Sequence, residues 1–429
     1  MAKTNFTALL DEQKLVWSRD IWSTARQLSF FMSQMGEGNN TVIQRVSELT
    51  PTERGAQAVI TLVPDLEEDG AMGDNEVWDN EEAIRAKDQS IYIDQIRHAN
   101  RTTGRMNDQK SIVNFRETSR DVLAHWLADR VDQMGLLTAS GVDPRLKTNG
   151  GLRTGFTFNP DAADPTVWAA VTRAGSGAGR LGYGLIDLAF FTDPAGALGD
   201  RVKVPTANRH FRWVASSATL EAADTTAVVA TDYPSYKMLV EAKAYAKDKR
   251  LRPIKGDQGT EMYHVFMHPK AVAKLKLDSD FLANLRNAGQ RGKSNPLFSG
   301  AIETVDGLVI HENTHVFNTL GATTGAASAL ASSATDAATD FAGAIGHKWG
   351  ASASVNGCRV LFLGAQALAF ADLGMPTWEE DDWDYKNQLG ISTGKILGFC
   401  KPQFYSPKDN TNIASEKEDY GVMCIDVAI

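Results

Sequence analysis

The chain has 429 residues, 43% hydrophobic and 23% charged, a composition that excludes disordered and collagen-like chains and gives enough length for two or three cores. Its 53 acids against 44 bases give a formal charge of -9, and the pI near 5.5 argues against a protein that grips nucleic acid through its phosphates, which needs a basic footprint. One window, Asp65 to Glu82, holds nine acids and no base, and the rest of the chain balances at 44 against 44.

The longest nearly apolar stretch, Val360 to Ala371, is 12 residues long and contains Gly364 and Gln366, short of the roughly 18 needed to cross a bilayer. No membrane span is expected. The N-terminus lacks a basic segment followed by an apolar core, so no secretory signal is read and the chain is placed inside a cell. Cys358, Cys400 and Cys424 are an odd three without CxxC spacing. They suit a reducing compartment with buried, inert thiols and rule out a zinc ribbon.

In chain order, Leu15, Ile21, Trp22, Ala25, Leu28 and Met32 recur at helical spacing until Gly36 to Asn40 stops the pattern. A lone helix has nothing to bury that face against, so it must dock on its own body or a neighbour's. Ala58 to Val63 and Gln89 to Ile96 read as two arms of a long hairpin with the acidic window between them. Two isolated strands are marginal in water, so the hairpin needs support from another surface, the alternative being that it folds on its own domain. Asp108 to Ala139 is the longest helical signal, with Phe115, Val122, Leu123, Trp126, Leu127, Val131 and Met134 in one stripe and Asp108 as its cap.

From Gly141 to about Ser354 short apolar runs alternate with Gly and Pro, including Tyr263 to Met267, a short helix from Pro269 to Leu277 and a strand at Leu308 to Ile310. This is α+β character. Within it, 21 of the 27 residues from Leu320 to Gly346 are Ala, Gly, Ser or Thr, too little side chain for a core, and the segment reads as a surface insertion. A compact apolar element ending at Gly374, an acidic Trp-rich stretch from Trp378 to Tyr385 and a strand-like tail from Ile391 to Phe404 follow.

Three motifs touch on chemistry. His311-Glu312-Asn313-Thr314-His315 matches the HExxH zinc-peptidase pattern, which requires both imidazoles one helical turn apart beside a zinc-bound water. Its flanks, Leu308-Val309-Ile310 and Val316-Phe317, are strand-like, and in a strand the two imidazoles would sit roughly 13 Å apart. A strand with two ordinary histidines is therefore the preferred reading, and a zinc metallopeptidase built on His311, Glu312 and His315 the alternative. Gly177-Ala178-Gly179-Arg180-Leu181-Gly182 matches GxGxxG without a clear strand-turn-helix context and reads as a loop. Gly292-Lys293-Ser294 fails as a phosphate loop because the first glycine it requires falls on Asn287. No GxSxG elbow is present, and enzymology is poorly supported.

Several segments together carry a resemblance: Ser33 to Gln44, Gly73 to Ile84, Ile93 to Arg101 with Gly104-Arg105-Met106, Leu123 to Gln133, Asn295 to Phe298, Gly307 to Glu312 and Leu363 to Leu368. In their order and spacing they resemble the major capsid proteins of tailed bacteriophages, in the family typified by the coat protein of phage N-four. Leu320 to Gly346 departs from that pattern. The resemblance implies the Hong Kong 97 phage capsid fold, of α+β class. Residues 1–50 would be the N-terminal arm, 55–100 an extended hairpin called the E-loop, and 101–154 a peripheral domain with its spine helix at 108–139. Residues 155–375 would be the axial domain, with 320–346 as an insertion, and 376–429 the return to the peripheral domain.

The function so implied is non-enzymatic: self-assembly into the hexamers and pentamers of an icosahedral head around double-stranded DNA, located in the virion and assembled in host cytoplasm, with no cofactor or metal. Partners would be further copies, a separate scaffolding protein, a portal, decoration proteins and DNA held without sequence recognition. The chain shows no N-terminal coiled coil to serve as its own scaffold, and no N-terminal cleavage is expected. Candidate contacts between subunits are Asp65, Glu67, Glu68, Asp69, Asp74, Glu76, Asp79, Glu81 and Glu82, with Trp17 and Trp22 in the arm.

Overall fold

A computed structural model describes residues 19–21, 23–25, 29, 31–46, 57–62, 71–74, 78, 87–110, 114–142, 146–151, 205–256, 260–287, 304–324, 347–405 and 417–429. Two mixed sheets and one long helix organise them.

The first sheet is built on β15 (Gln388–Cys400), a 13-residue strand. One edge carries β14 (Thr377–Trp383) and then β13 (Leu368–Asp372), both antiparallel to it. The other edge carries β5 (Asp94–Arg101), also antiparallel, since Leu397 pairs with Asp372 on one side and Asp94 on the other. Beyond β13 lie β2 (Ile43–Val46) and β1 (Met35–Gly36), both parallel. The strand-like tail read from Ile391 onward is thus the spine of a sheet.

In the second sheet β9 (Glu261–Met267) lies between β11 (Leu308–Glu312), parallel, and β12 (Gly357–Leu363), antiparallel. The C-terminal strand β18 (Val422–Ala428) pairs antiparallel with β12 and parallel with β6 (His210–Val214), and β7 (Thr219–Ala222) closes that edge. β8 (Ile254–Lys255) and β10 (Thr304–Val305) add short antiparallel pairings. Every residue of β12 and β18 is buried, which is why both read as apolar runs, each broken by one charge, Arg359 or Asp426, rather than as alternating ones. The sheets therefore do not divide the chain at residue 375. β13, assigned by position to the axial segment, belongs with β14 and β15, and β18, assigned to the return segment, completes the second sheet. Pairings as distant as Cys424 with His210 leave no local trace in the sequence.

The helical signal from Asp108 divides in two. α1 (Arg105–Lys110) is short, and α2 (Phe115–Ser140) starts afresh. Its cap is Asn114, not Asp108: the Asn114 side chain accepts from the Arg116 amide at 3.2 Å. At about 1.5 Å per residue its 26 residues span roughly 39 Å. Gly141 ends it at φ 59°, donating to the Leu137 and Thr138 carbonyls, the left-handed stop that glycine allows. Leu123, Leu127, Val131 and Met134 are buried along its stripe, but Val122, expected there too, is 50% exposed. Each fully buried aliphatic side chain contributes about 1.5–3 kcal/mol.

α3 (Tyr236–Asp248), capped by Ser235, α4 (Pro269–Leu277) and α5 (Ser279–Asn287) accompany the second sheet. α4 falls where its proline and periodicity place it, with His268 as cap. In the arm, Ile21 and Ala25 are fully buried in the main core, and the Ser29 hydroxyl donates to Asp132 of α2 at 2.5 Å. The described part of the arm docks on its own chain.

Candidate assembly surfaces

The HENTH sequence lies on β11 and the turn after it, not on a helix. His311 and His264 stack as parallel rings with Nε2 and Nδ1 2.7 Å apart. Burial, and then the neighbouring His264, push His311 down to about 4. His315 turns instead to Asp129 of α2, Nε2 to Oδ1 2.9 Å, and this hydrogen bond depresses the Asp129 carboxyl although burial alone would raise it. The two imidazoles serve separate contacts, so the metallopeptidase arrangement finds no support. The GxGxxG at 177–182 and Gly292-Lys293-Ser294 lie outside the described residues. Cys358, Cys400 and Cys424 are buried and form no disulfide, and burial pushes the Cys358 and Cys424 thiols up to about 12, which keeps both protonated at neutral pH.

α2 ties the two sheets together. Near its start Arg116 pairs with Glu380 of β14 at 2.9 Å, and Trp126 stacks on His98 of β5 with centroids 4.8 Å apart. At its end, the Ser140 carbonyl accepts from Arg359 of β12 at 2.9 Å. Leu137, Val142, Phe317, Trp349 and Ala428 share a core there.

The hairpin consists of β3 (Gln57–Leu62) and β4 (Lys87–Tyr92), paired from Gln57 with Tyr92 to Leu62 with Lys87. Its root is supported by its own chain. Ile60 and Ile91 are buried with Val46, Ala369, Ala371 and Cys400, and the buried Gln89 donates to the Lys401 carbonyl and accepts from the Gln403 amide. Of the acidic candidates, Asp74 is described and exposed. Nearby Met72 and Trp78 are 80% and 78% exposed. Asp65, Glu67, Glu68, Asp69, Glu76, Asp79, Glu81 and Glu82, like Trp17 and Trp22, lie outside the described residues.

A charged face goes unnoticed in the sequence reading. In the ribbon β5–β15–β14, Ile96, His98, Trp378 and Glu380 belong to the side packed on α2. The opposite side is open, with exposed Arg97 and Arg101 on one outer strand and exposed Glu379 and Asp381 on the other. Glycines in its middle make room for the Trp383 ring and the Arg97 stem, which cover them. A Cβ on Gly394 would lie 2.9 Å from Arg97 Cγ, and one on Gly390 2.0 Å from the Trp383 ring. Arg101 sits over that ring, 5.7 Å from its centroid, a cation–π contact. Arg105 and Lys110 are exposed just beyond. Among the described residues none of these four cations has a carboxylate partner. The signal in the sequence is the alternation Arg97, Ala99, Arg101 with Ile96 and His98.

The described residues form two sheets strapped by one long helix, with part of an arm and the root of a hairpin docked on them. The family model described as phage capsid protein matches residues 6–429, and the chain belongs to that family. It is 46% identical over 426 residues, 99% of this chain and 97% of the other, to the major capsid protein of Pseudomonas phage KPP25. Its fold is similar to the capsid of Ralstonia phage GP4, with TM-score 0.62, 21% identity and coverage of 93% and 91%. It is also similar to that of cyanophage Pam1, with TM-score 0.59, 16% identity and coverage of 100% and 96%.

Proposed function

We propose that this chain is the major capsid protein of a tailed bacteriophage, assembling through repeated copies into the hexamers and pentamers of an icosahedral head. The observation that carries this reading is the 46% identity to a major capsid protein along 99% of the chain, joined to a capsid-like fold. The chain acts in the virion as a wall subunit and catalyses no reaction. On this reading residues 1–50 are the arm, 55–100 the E-loop and α2 the spine, while the second sheet with α3 and α4 forms the axial body.

The acidic stretch containing Glu67, Glu68 and Asp69, together with Trp17 and Trp22, makes contacts between subunits. A separate scaffolding protein directs closure and a portal takes one vertex. With a charge of -9, the wall repels rather than binds the packaged double-stranded DNA, which is held without sequence recognition.

Electron microscopy and sedimentation of the expressed full chain, alone and with a co-expressed scaffolding protein, test the reading. Five- and six-membered rings or closed shells are expected. A chain that stays monomeric at high concentration under both conditions would overturn it.

A further inference from the structure

Although the chain as a whole is acidic, residues 243–255 are strongly basic. From the last turns of α3 through β8 they hold Lys243, Lys247, Lys249, Arg250, Arg252 and Lys255 against one acid, Asp248. The fold gathers them at one end of the second sheet, opposite the end where Arg359 meets α2. Lys247 reaches Glu261 at the start of β9 at 2.7 Å, and Lys243 reaches Asp306 in the turn before β11 at 2.8 Å. The Arg252 carbonyl accepts from the Ala365 amide just past β12. Among the described residues six bases thus stand with three acids, an excess of positive charge on a chain of charge -9.

A helix C-terminus favours cations within its last turn, which accounts for Lys247, Lys249 and Arg250. Arg252 and Lys255 lie beyond its reach. Arg252 donates to the Tyr420 hydroxyl and sits over that ring, 5.8 Å from its centroid, a neutral partner that fixes the guanidinium without neutralising it. Lys247, Arg250, Arg252 and Lys255 are exposed, while Leu251 and Ile254 between them are buried. Among the described residues from 241 to 262 no large apolar side chain is exposed. Such a surface lacks the apolar centre of a protein interface and has what contact with a phosphate backbone requires.

We propose that this patch, Arg252 and Lys255 with Lys247, Lys249 and Arg250, touches the phosphate backbone of duplex DNA without reading its sequence. The inference rests on the shell-subunit reading above for the presence of that DNA. The rest of an acidic wall repels DNA, so the patch is a local exception. One subunit holds the duplex weakly, and repetition across a shell multiplies the effect.

The test titrates a short fluorescent duplex with the dissociated full-length chain and reads anisotropy. Neutralising about three phosphates gives a logarithmic salt slope near -2.7, so affinity should fall about 40-fold between 50 and 200 mM salt, alike for two unrelated sequences. Replacing Lys247, Lys249, Arg250 and Lys255 together by Gln should weaken binding at the lower salt at least tenfold and flatten that slope. Lys255→Gln alone, a milder change, should reduce the slope by about one. A control with Arg97, Arg101, Arg105 and Lys110 replaced by Gln removes the same charge elsewhere and should bind like the parent. No measurable binding by the parent, parent-like binding by the patch variants, or an equal loss in the control overturns the inference. Failure of the unaltered chain to assemble into rings or shells would overturn the shell-subunit reading instead.

Discussion

Arg359 on β12 reaches Ser140 at the end of α2, its Nη1 donating to the Ser140 carbonyl at 2.9 Å. The same guanidinium holds Asp426 on the neighbouring strand through Nε at 2.8 Å and Nη2 at 3.3 Å. A cation at a helix C-terminus answers the carbonyls that the last turn leaves unpaired. The buried Asp426 carboxylate, which also contacts His210 Nε2 at 2.8 Å, keeps that cation neutralised. One side chain thus fixes the long helix to the second sheet.

Removing one member of a buried ion pair strands the other, at about 3–5 kcal/mol, whereas replacing both with apolar residues is often neutral. Arg359→Leu should therefore lower unfolding free energy by about that amount in denaturant titrations, and Arg359→Leu with Asp426→Leu by clearly less. Equal losses in the single and double variants would show that Asp426 does not depend on Arg359.

Acid should destabilise the subunit in two steps. Histidines in an unfolded chain titrate near 6.5, while His311 is held at about 4 and burial lowers His264, His268, His98 and His210 as well. The unfolded chain takes up these protons first, so stability is full above about pH 6.5 and falls toward pH 4. Burial alone would raise Asp426, but Arg359 and His210 outweigh it and hold it at about 2. Its contribution is present above the unfolded value near 3.9 and is lost between about pH 4 and 2. Denaturant midpoints at pH 7, 5 and 3 should show both drops, and His311→Gln should flatten the first and leave the second. An undiminished first drop in that variant would remove the histidine pair from the account.

What the sequence made legible was whatever local chemistry decides. Pro269 and the spacing behind it marked α4 to the residue, and the apolar run before His311 placed His311 and Glu312 on a strand, although the chain turns away at Asn313 and Val316-Phe317 do not continue it. The start of α2 was misread because Asp108 and Asn114 are both good caps, and only the break between α1 and α2 selects the second. Arg359 and Asp426 gave no signal, since each looks like an ordinary charge until β12 and β18 pair. Arg97 and Arg101 escaped for a related reason: a charged face acquires meaning from the strands beside it.

Asn114 has a cost that can be measured directly. Its side chain satisfies one of the amides that open α2, and loss of such a cap costs about 1 kcal/mol. Asn114→Ala should lower unfolding free energy by that amount and Asn114→Asp should preserve it, as read by denaturant titration. An Ala variant as stable as the parent would mean that packing alone sets where the helix begins.

The Ala-, Gly- and Ser-rich segment offers a sharper test, because its two ends are fixed. Gly321 donates to the Asn149 carbonyl at 2.8 Å and Lys348 to the Thr323 carbonyl at 3.0 Å, and Thr323 and His347 form a parallel bridge. The intervening residues therefore leave and rejoin the body at adjacent points, and few of their side chains could build a core. A parallel junction sets a condition that an antiparallel one would not, since the chain must travel back along the pair before re-entering it. Replacing residues 325–346 by an eight-residue Gly/Ser linker should keep the thermal midpoint within about 3 °C and preserve assembly, because closure entropy changes slowly with loop length. A two-residue linker should break the Thr323–His347 bridge and expose Trp349, lowering the midpoint and shifting the tryptophan emission. If the eight-residue version is insoluble, the segment is packed against the body; if the two-residue version is as stable as the parent, the bridge carries no weight.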